Sequence, residues 1–311
     1  MKIAVTGGSG FIGSHVVDHL MAAGHEIVVI DHGVRPHRTD VQFEDVDILN
    51  LSAVIHASKG CDFVFHLAAV SNVNYAHKNP VYTVELNVTG TANLMEAARI
   101  NGVRRFFFAS TVWVYTGTRG NERLTEDEPF YLPEAGHIYT STKIASEMIV
   151  HNYWRLYKQP FTILRYGIPY GPRMREELVI PILIRKALEG EPITIHGDGS
   201  QYRNYLYIDD LASAHLLALS DKAENQVYNL EGSRKVTVRE VAETINRLLG
   251  NSVNVEYGPA RPDDFAGKEV SAEKARRDLG WEPKIDFQDG MRRTLDWFMR
   301  NPPIGRQAGV L

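Results

Sequence analysis

Short apolar runs punctuate the first half of the chain, most of them closed by Gly, Asp or Ser: KIAVTG, EIVVID, VQFEDVD, DFVFHLAA and RRFFFAS. Rich in β-branched and aromatic residues, they predict strands buried on both faces. Between them, residues 11–23, 50–58, 81–101 and 138–157 carry apolar positions at helical spacing. Such strand–helix alternation predicts a parallel sheet with right-handed crossovers and helices on both faces. Further on, FTILRYG reads as another strand, 177–189 and 209–220 as helices, and EPITIHGDG and QVYNLEG as short strands. Residues 237–249 follow as a helix, and 271–279 as a short helix before Trp281. These later pieces interleave, and no Pro/Ser-rich linker separates them. The expected organisation is a larger domain over residues 1–165, a smaller lobe mainly over 166–300 that crosses back in part, and a tail over 301–311.

Composition narrows the picture. Of 311 residues, 44% are hydrophobic and 23% charged, enough apolar content to bury a core. Lys+Arg 34 against Asp+Glu 38 leaves a net charge of -4, so no global positive field exists to hold nucleic acid or an anionic membrane. Any anion site must be local. The single cysteine, Cys61, excludes an intrachain disulfide framework and a thiolate metal cluster. No run approaches the roughly 18 uninterrupted apolar residues of a membrane span, and MKIAVTGG does not read as a signal peptide, so a cytoplasmic protein is expected. His15 and His19 share one face of the first helix but lack a third ligand, and are read as solvated or capping; no metal is expected.

The first strand and first helix are joined by TGGSGFIGSH, which sets Gly7, Gly10 and Gly13 in the turn. In that context Gly7 permits the tight turn, Gly10 lets a phosphate approach the backbone, and Gly13 allows close helix–strand packing. The helix N-terminus then offers N–H groups to a pyrophosphate. Asp31, at the end of the second strand, is placed to accept hydrogen bonds from ribose hydroxyls and would repel a 2′-phosphate, which favours NAD over NADP. Arg35 and Arg38 nearby are read as a solvated loop. Asp47, ending the third strand, suits either the adenine edge or a helix cap. The fold class these features imply is α/β, a Rossmann-type doubly wound parallel sheet with a smaller C-terminal substrate-binding lobe.

Tyr139 and Lys143, in HIYTSTKIASE, lie four apart on one helical face. An ammonium beneath a phenol favours phenolate, and so is expected to lower the tyrosine's pKa and fit it for acid–base work. Ser110 and Thr111 end the fifth strand, where ligands of open α/β sheets bind. Thr111 is placed to hold the oxygen that the tyrosine deprotonates, while Ser110 better fits a strand-end cap.

Taken together these residues resemble the extended short-chain dehydrogenase/reductase family, and within it the nucleotide-sugar epimerases and dehydratases. The likeness runs through nearly the whole chain: TGGSGFIGSH, IVVID, FHLAA, LNVTGT, the Ser110–Thr111 strand end, YTSTK, LRYGIPYGPR, HGDGSQYRNYLYIDD, ARPDD and KARRDLGW. The resemblance implies a catalytic trio of Thr111, Tyr139 and Lys143. It implies NAD held by Gly7, Gly10, Phe11, Ile12, Gly13, Asp31, His32, Asp47 and Ile48. Leu67, Ala68, Ala69, Ala109, Tyr166 and Ile168 would complete that site, together with Tyr139 and Lys143. For the substrate it implies Ser71, Thr111, Val179, Arg203 and Arg261, the arginines gripping a diphosphate. Planar guanidinium groups suit phosphate oxygens, in charge-assisted bonds of roughly 1.5–3 kcal/mol each.

The chain also departs from that pattern. Dehydratases and decarboxylases of this kind carry acidic or acid-and-amide pairs straight after the Ser/Thr, whereas Val112 and Trp113 stand here. That favours a reaction needing only oxidation and reduction at one carbon. Gly167 and Ile168 replace the usual Phe and Asn, Leu178 stands where a substrate-contacting Asn often lies, and Thr116 replaces a Gly. The expected activity is therefore NAD-dependent epimerisation at C4 of a nucleotide-diphosphate sugar, of the UDP-glucose/galactose or UDP-uronate type, through a 4-keto sugar. The rivals are an NAD(P)H-dependent 4-ketoreductase and a non-catalytic dinucleotide sensor. The resemblance also implies a homodimer through helices 88–101 and 139–157, with Leu94, Ala97, Ala98, Met148 and Ile149 in contact.

Overall fold

The computed structural model describes residues 1–118, 123–260 and 268–301. The apolar runs of the first half become β1 (Lys2–Thr6), β2 (Glu26–Asp31), β3 (Gln42–Asp45), β4 (Phe63–His66), β5 (Arg105–Thr111) and β6 (Phe161–Tyr166). The lobe adds β7 (Ile168–Tyr170), β8 (Ile193–His196), β9 (Tyr202–Arg203), β10 (Tyr205–Tyr207), β11 (Gln226–Leu230), β12 (Val236–Thr237) and β13 (Val255–Gly258). One seven-stranded sheet runs β11-β6-β5-β4-β1-β2-β3 with every pair parallel, and three two-stranded sheets, β10-β7, β12-β9 and β13-β8, belong to the later residues. β11 returns from the lobe to the sheet edge beside β6, so the later part of the chain completes the main sheet.

The helices are α1 (Phe11–Ala22), α2 (Leu51–Ala57), α3 (Val73–Lys78), α4 (Pro80–Val84), α5 (Gly90–Ile100), α6 (Ile138–Tyr157), α7 (Val179–Leu188), α8 (Ile208–Leu217), α9 (Val238–Leu248), α10 (Glu273–Leu279) and α11 (Phe287–Arg300). Successive strand residues face opposite sides of a sheet. Ile3, Val5, Val29 and Phe65 accordingly join the core that holds Val16 and Leu20 of α1 and Leu211 of α8. Ala4, Val28, Val64 and Phe108 join the other, with Val54 of α2, Leu94 of α5 and Val150 of α6. Both faces are covered, as uniformly apolar strands require.

Two local differences from the sequence expectation have physical causes. The helix expected over 81–101 is interrupted by a π turn, Glu85–Thr89, between α4 and α5. The turn places the Asn87 carbonyl where Thr91 Oγ1 (2.5 Å) and Ser146 Oγ (3.0 Å) both donate to it. α11 was not anticipated, yet its buried Phe287, Met291, Leu295 and Phe298 follow helical spacing.

Candidate active site

The glycine turn is built by close backbone approach. Gly7 has φ +69, in the left-handed region, and a Cβ there would lie 2.7 Å from the Ala68 nitrogen; a Cβ on Gly13 would lie 2.0 Å from the Gly7 oxygen. α1 starts at Gly10 with no side-chain cap, so its leading N–H groups are left for a ligand. Asp31 is held by the Ser9 N–H at Oδ2 (2.9 Å) and the His32 N–H at Oδ1 (3.0 Å). A cavity of about 1040 Å³ opens at the carboxyl ends of the strands, lined by Gly7, Gly10, Phe11, Ile12, Gly13, Asp31, His32, Asp47, Ile48, Leu67, Ala68 and Ala69. This uncapped, glycine-floored cradle with a carboxylate beside it fits a dinucleotide. Asn50, not Asp47, caps α2; Asp47 accepts from the Leu49 N–H at 2.9 Å and lines the cavity. Arg38 is not simply solvated: its guanidinium is paired with Asp18 (3.0 Å) and Asp40 (2.7 Å).

Thr111, Tyr139, Tyr166 and Ile168 line the same cavity. Tyr139 shares a side-chain hydrogen bond with Thr111. Thr111 Oγ1 also accepts from the Trp113 N–H at 3.2 Å, so Thr111, rather than Ser110, caps the turn that follows β5. Lys143 and Ala109 lie one layer behind the wall, the Lys143 Nζ donating to the Ala109 oxygen at 2.7 Å and standing 6.0 Å from the centre of the Tyr139 ring. Burial decides the protonation of both groups. It pushes the Tyr139 phenol up to about 12, against the pull of the Thr111 hydrogen bond, and pulls Lys143 down to about 7. The expected lowering of Tyr139 is thus reversed, because desolvation outweighs the pulls of the Thr111 hydrogen bond and the Arg175 charge, and Lys143 is not among the groups that lower it.

Beneath this trio lies a buried polar network that the sequence did not reveal. Glu147, on α6, pairs with Arg165, on β6, through Nη2 to Oε2 (2.7 Å) and Nε to Oε1 (3.0 Å), and Ser110 Oγ donates to the same Oε1 at 2.5 Å. Arg165 also donates to Tyr115 Oη, which donates to Asn229 Oδ1 at 2.9 Å. Asn87 ties the loop after β4 to α6, bonding Val70 on both its N–H and C=O and Thr142 Oγ1 at 2.9 Å. These bonds fix the spacing between the strand that carries Thr111 and the helix that carries Tyr139 and Lys143.

The same cavity is also lined by Ser71, Leu178, Val179 and Arg203, with the Arg203 Nη1 donating to the Tyr202 oxygen at 2.7 Å. Arg261 lies outside the described residues. Val112 and Trp113 bring no acid, but Glu231, which sequence reasoning missed, sits buried against Gly167. His15 is buried rather than solvated, bonded to the Pro172 oxygen (3.0 Å) and facing Asp209 (3.4 Å), which His19 also approaches. Among the described residues no group of three His, Cys, Asp or Glu side chains is arranged for a metal ion, and no helix is long and apolar enough to cross a membrane.

A family model described as the NAD dependent epimerase/dehydratase family matches residues 3–230. The chain belongs to that family. It is 33% identical to a dTDP-glucose 4,6-dehydratase of Neisseria gonorrhoeae, over 96% of either chain. Among solved structures, the UDP-glucose 4-epimerase of Thermotoga maritima, with UDP-glucose, superimposes with a TM-score of 0.90 at 31% identity, covering 97% of this chain and 99% of that one. The UDP-glucose 4-epimerase of Thermus thermophilus, in complex with NAD, gives 0.87 at 34% identity, covering 96% and 99%. NAD is therefore the family's cofactor, and both epimerases and dehydratases are near relatives. Of the residues expected at a dimer contact, Leu94, Ala97 and Ala98 are buried in the core, Ile149 packs against it, and Met148 is exposed, as are Ile100 of α5 and Leu156 of α6.

Proposed function

We propose that the protein is a 4-epimerase of a nucleotide-diphosphate sugar. The observation that carries this reading is the hydrogen-bonded Thr111–Tyr139 pair followed by Val112 and Trp113, a site with proton-transfer chemistry at one carbon and no acid after the threonine. Gly7, Gly10, Gly13 and Asp31 would hold NAD. When bound, NAD would supply the reversible hydride acceptor, and the positive charge of its oxidised nicotinamide ring would favour ionisation of Tyr139. Tyr139 takes the proton from the 4-hydroxyl and returns it, Thr111 holds the same oxygen, and Lys143 anchors the helix to the Ala109 carbonyl beneath them. Arg203 grips the diphosphate while the 4-keto sugar turns to present its other face.

A 4,6-dehydratase needs an ionised base for the C5 proton as well as an acid for the leaving hydroxyl. Glu231 is the acid nearest this position in the fold, but it reaches the site through β11, not directly after Thr111, and burial against Gly167 pushes its carboxyl up. The test is a panel of UDP-, dTDP- and GDP-sugars incubated with purified protein and no added cofactor, read by NMR. Inversion at C4 supports the reading. A 4-keto-6-deoxy product assigns a dehydratase, and one-way reduction that depends on added reduced cofactor assigns the ketoreductase.

A further inference from the structure

We propose that Glu231, set into the gap left by Gly167, selects the sugar by recognising the hydroxyl-bearing substituents that flank C4, so that the substrate carries a C6 hydroxymethyl group rather than a carboxylate. The inference rests on the 4-epimerase reading and deepens it. β11 pairs in register with β6, Leu230 opposite Tyr166, and the Gly167 N–H donates to the Leu230 oxygen at 2.7 Å. That register sets Glu231 against Gly167. A Cβ on residue 167 would lie 2.2 Å from Glu231 Oε1, so only glycine leaves the carboxyl its place. Glu231 is 5% exposed, and its one hydrogen bond among the described residues is from the Gly232 N–H, at 3.2 Å.

The carboxyl forms part of a side pocket of about 30 Å³, lined also by Val112, Trp113, Ile168, Arg203 and Asn204. Trp113, Ile168 and Arg203 line the main cavity as well, and Val112 and Trp113 directly follow Thr111, so the side pocket adjoins the reacting carbon. Its volume suits one water-sized group. Asn204 Oδ1 is buried there without a hydrogen-bond partner. Burial keeps Glu231 protonated, so the pocket offers an O–H donor beside an unmet acceptor. A hydroxyl satisfies both: it accepts from Glu231 and donates to Asn204. A carboxylate only accepts, which leaves Asn204 unmet and buries a charge, and a methyl group leaves both unmet. Arg203 and Lys268 at the wall carry positive charge, but the Lys268 ammonium already donates to the Tyr115 and Thr118 carbonyl oxygens.

The pocket also accommodates both epimers. Turning a pyranose about the line from its anomeric oxygen to C4 exchanges the C3 and C5 flanks. The pocket therefore meets the C6 hydroxymethyl in one pose and the C3 hydroxyl in the other, and each presents a hydroxyl. A uronate fits in one pose only.

The experiment is calorimetric binding of UDP-glucose, UDP-glucuronate and UDP-6-deoxyglucose, with their dTDP counterparts, to NAD-loaded protein as wild type, Glu231→Gln and Glu231→Leu. Wild type is expected to bind the hydroxymethyl sugar at least tenfold tighter than the other two. Glu231→Leu should compress that preference to within threefold, and Glu231→Gln, which keeps an N–H donor of similar size, should retain most of it. If leucine prevents folding, Gly167→Ala, whose Cβ displaces the carboxyl, reads the same loss. A wild type that binds the uronate as tightly as the hexose, or a preference untouched by Glu231→Leu and Gly167→Ala, overturns the proposal. NMR of the same mixtures reports the reaction separately. A binding preference without C4 inversion retains the pocket and removes the epimerase, whereas inversion of a preferred uronate does the opposite.

Discussion

Replacing Gly13 with alanine should abolish cofactor retention while leaving the fold standing. The added Cβ would sit 2.0 Å from the Gly7 oxygen and 2.8 Å from both the Gly7 carbonyl carbon and the Gly8 Cα. Backbone atoms do not yield as a side-chain tip does, so the turn must move by more than an ångström, carrying the Gly7 and Gly10 backbone away from any bound phosphate. Each charge-assisted hydrogen bond to phosphate is worth roughly 1.5–3 kcal/mol, so losing two corresponds to about 10²–10⁴-fold in Kd. Gly24→Ala is the control: its φ is positive, +83, but nothing lies within 4 Å of its Cβ. It should cost about 1–2 kcal/mol of backbone strain and spare cofactor binding. The assay is NAD per chain after gel filtration, with Kd from titration of stripped protein and circular dichroism to confirm folding. Wild-type NAD content in Gly13→Ala would refute the reasoning.

Three further outcomes follow from buried charge and hydrogen bonding. Glu147→Ala strands the Arg165 guanidinium, whose side chain is 5% exposed, and should cost about 3–5 kcal/mol in urea unfolding; a loss under about 1 kcal/mol would show the pair to be dispensable. Asp31→Ala removes the acceptor for the Ser9 and His32 N–H groups as well as the carboxylate that repels a 2′-phosphate, so NAD should bind more weakly and NADP relatively better; equal NAD and NADP affinity in wild type would contradict this. The Glu231 carboxyl is raised from 4.5 to about 8 by burial, so the folded state binds more protons than the unfolded between those values, and this contribution to stability is lost as pH rises through about 8. Wild type should therefore lose stability relative to Glu231→Gln between pH 5 and 8, by up to roughly 1.4 kcal/mol per pH unit, while the opposite contribution from Lys143 cancels in the comparison; parallel urea midpoints would contradict it.

Local spacing made much of the site legible. The glycines of the turn are contiguous with their strand and helix, Tyr139 and Lys143 share one helical face, and Thr111 ends a strand, so each was readable within a dozen residues. Glu231 was not, because its place beside Gly167 depends on β11 returning to the sheet across some 60 residues of lobe. The Glu147–Arg165–Tyr115–Asn229 network was hidden for the same reason: it joins a helix, two strands and a turn that share no sequence pattern. The Tyr139 phenol shows the limit of pairwise reasoning. The i, i+4 lysine is where spacing put it, but burial, invisible in sequence, sets the direction of both groups, raising the phenol and lowering the ammonium. α11 is the contrary case, since Phe287, Met291, Leu295 and Phe298 already carry the helical period.

Tyr139→Phe tests the central claim most directly. The substitution keeps the ring and its packing and deletes the hydroxyl shared with Thr111. General acid–base catalysis contributes about 10²–10⁴-fold, so C4 inversion of the best nucleotide sugar, followed by NMR without added cofactor, should slow by at least that order while NAD content and thermal unfolding match wild type. Inversion at an undiminished rate in Tyr139→Phe would contradict the account.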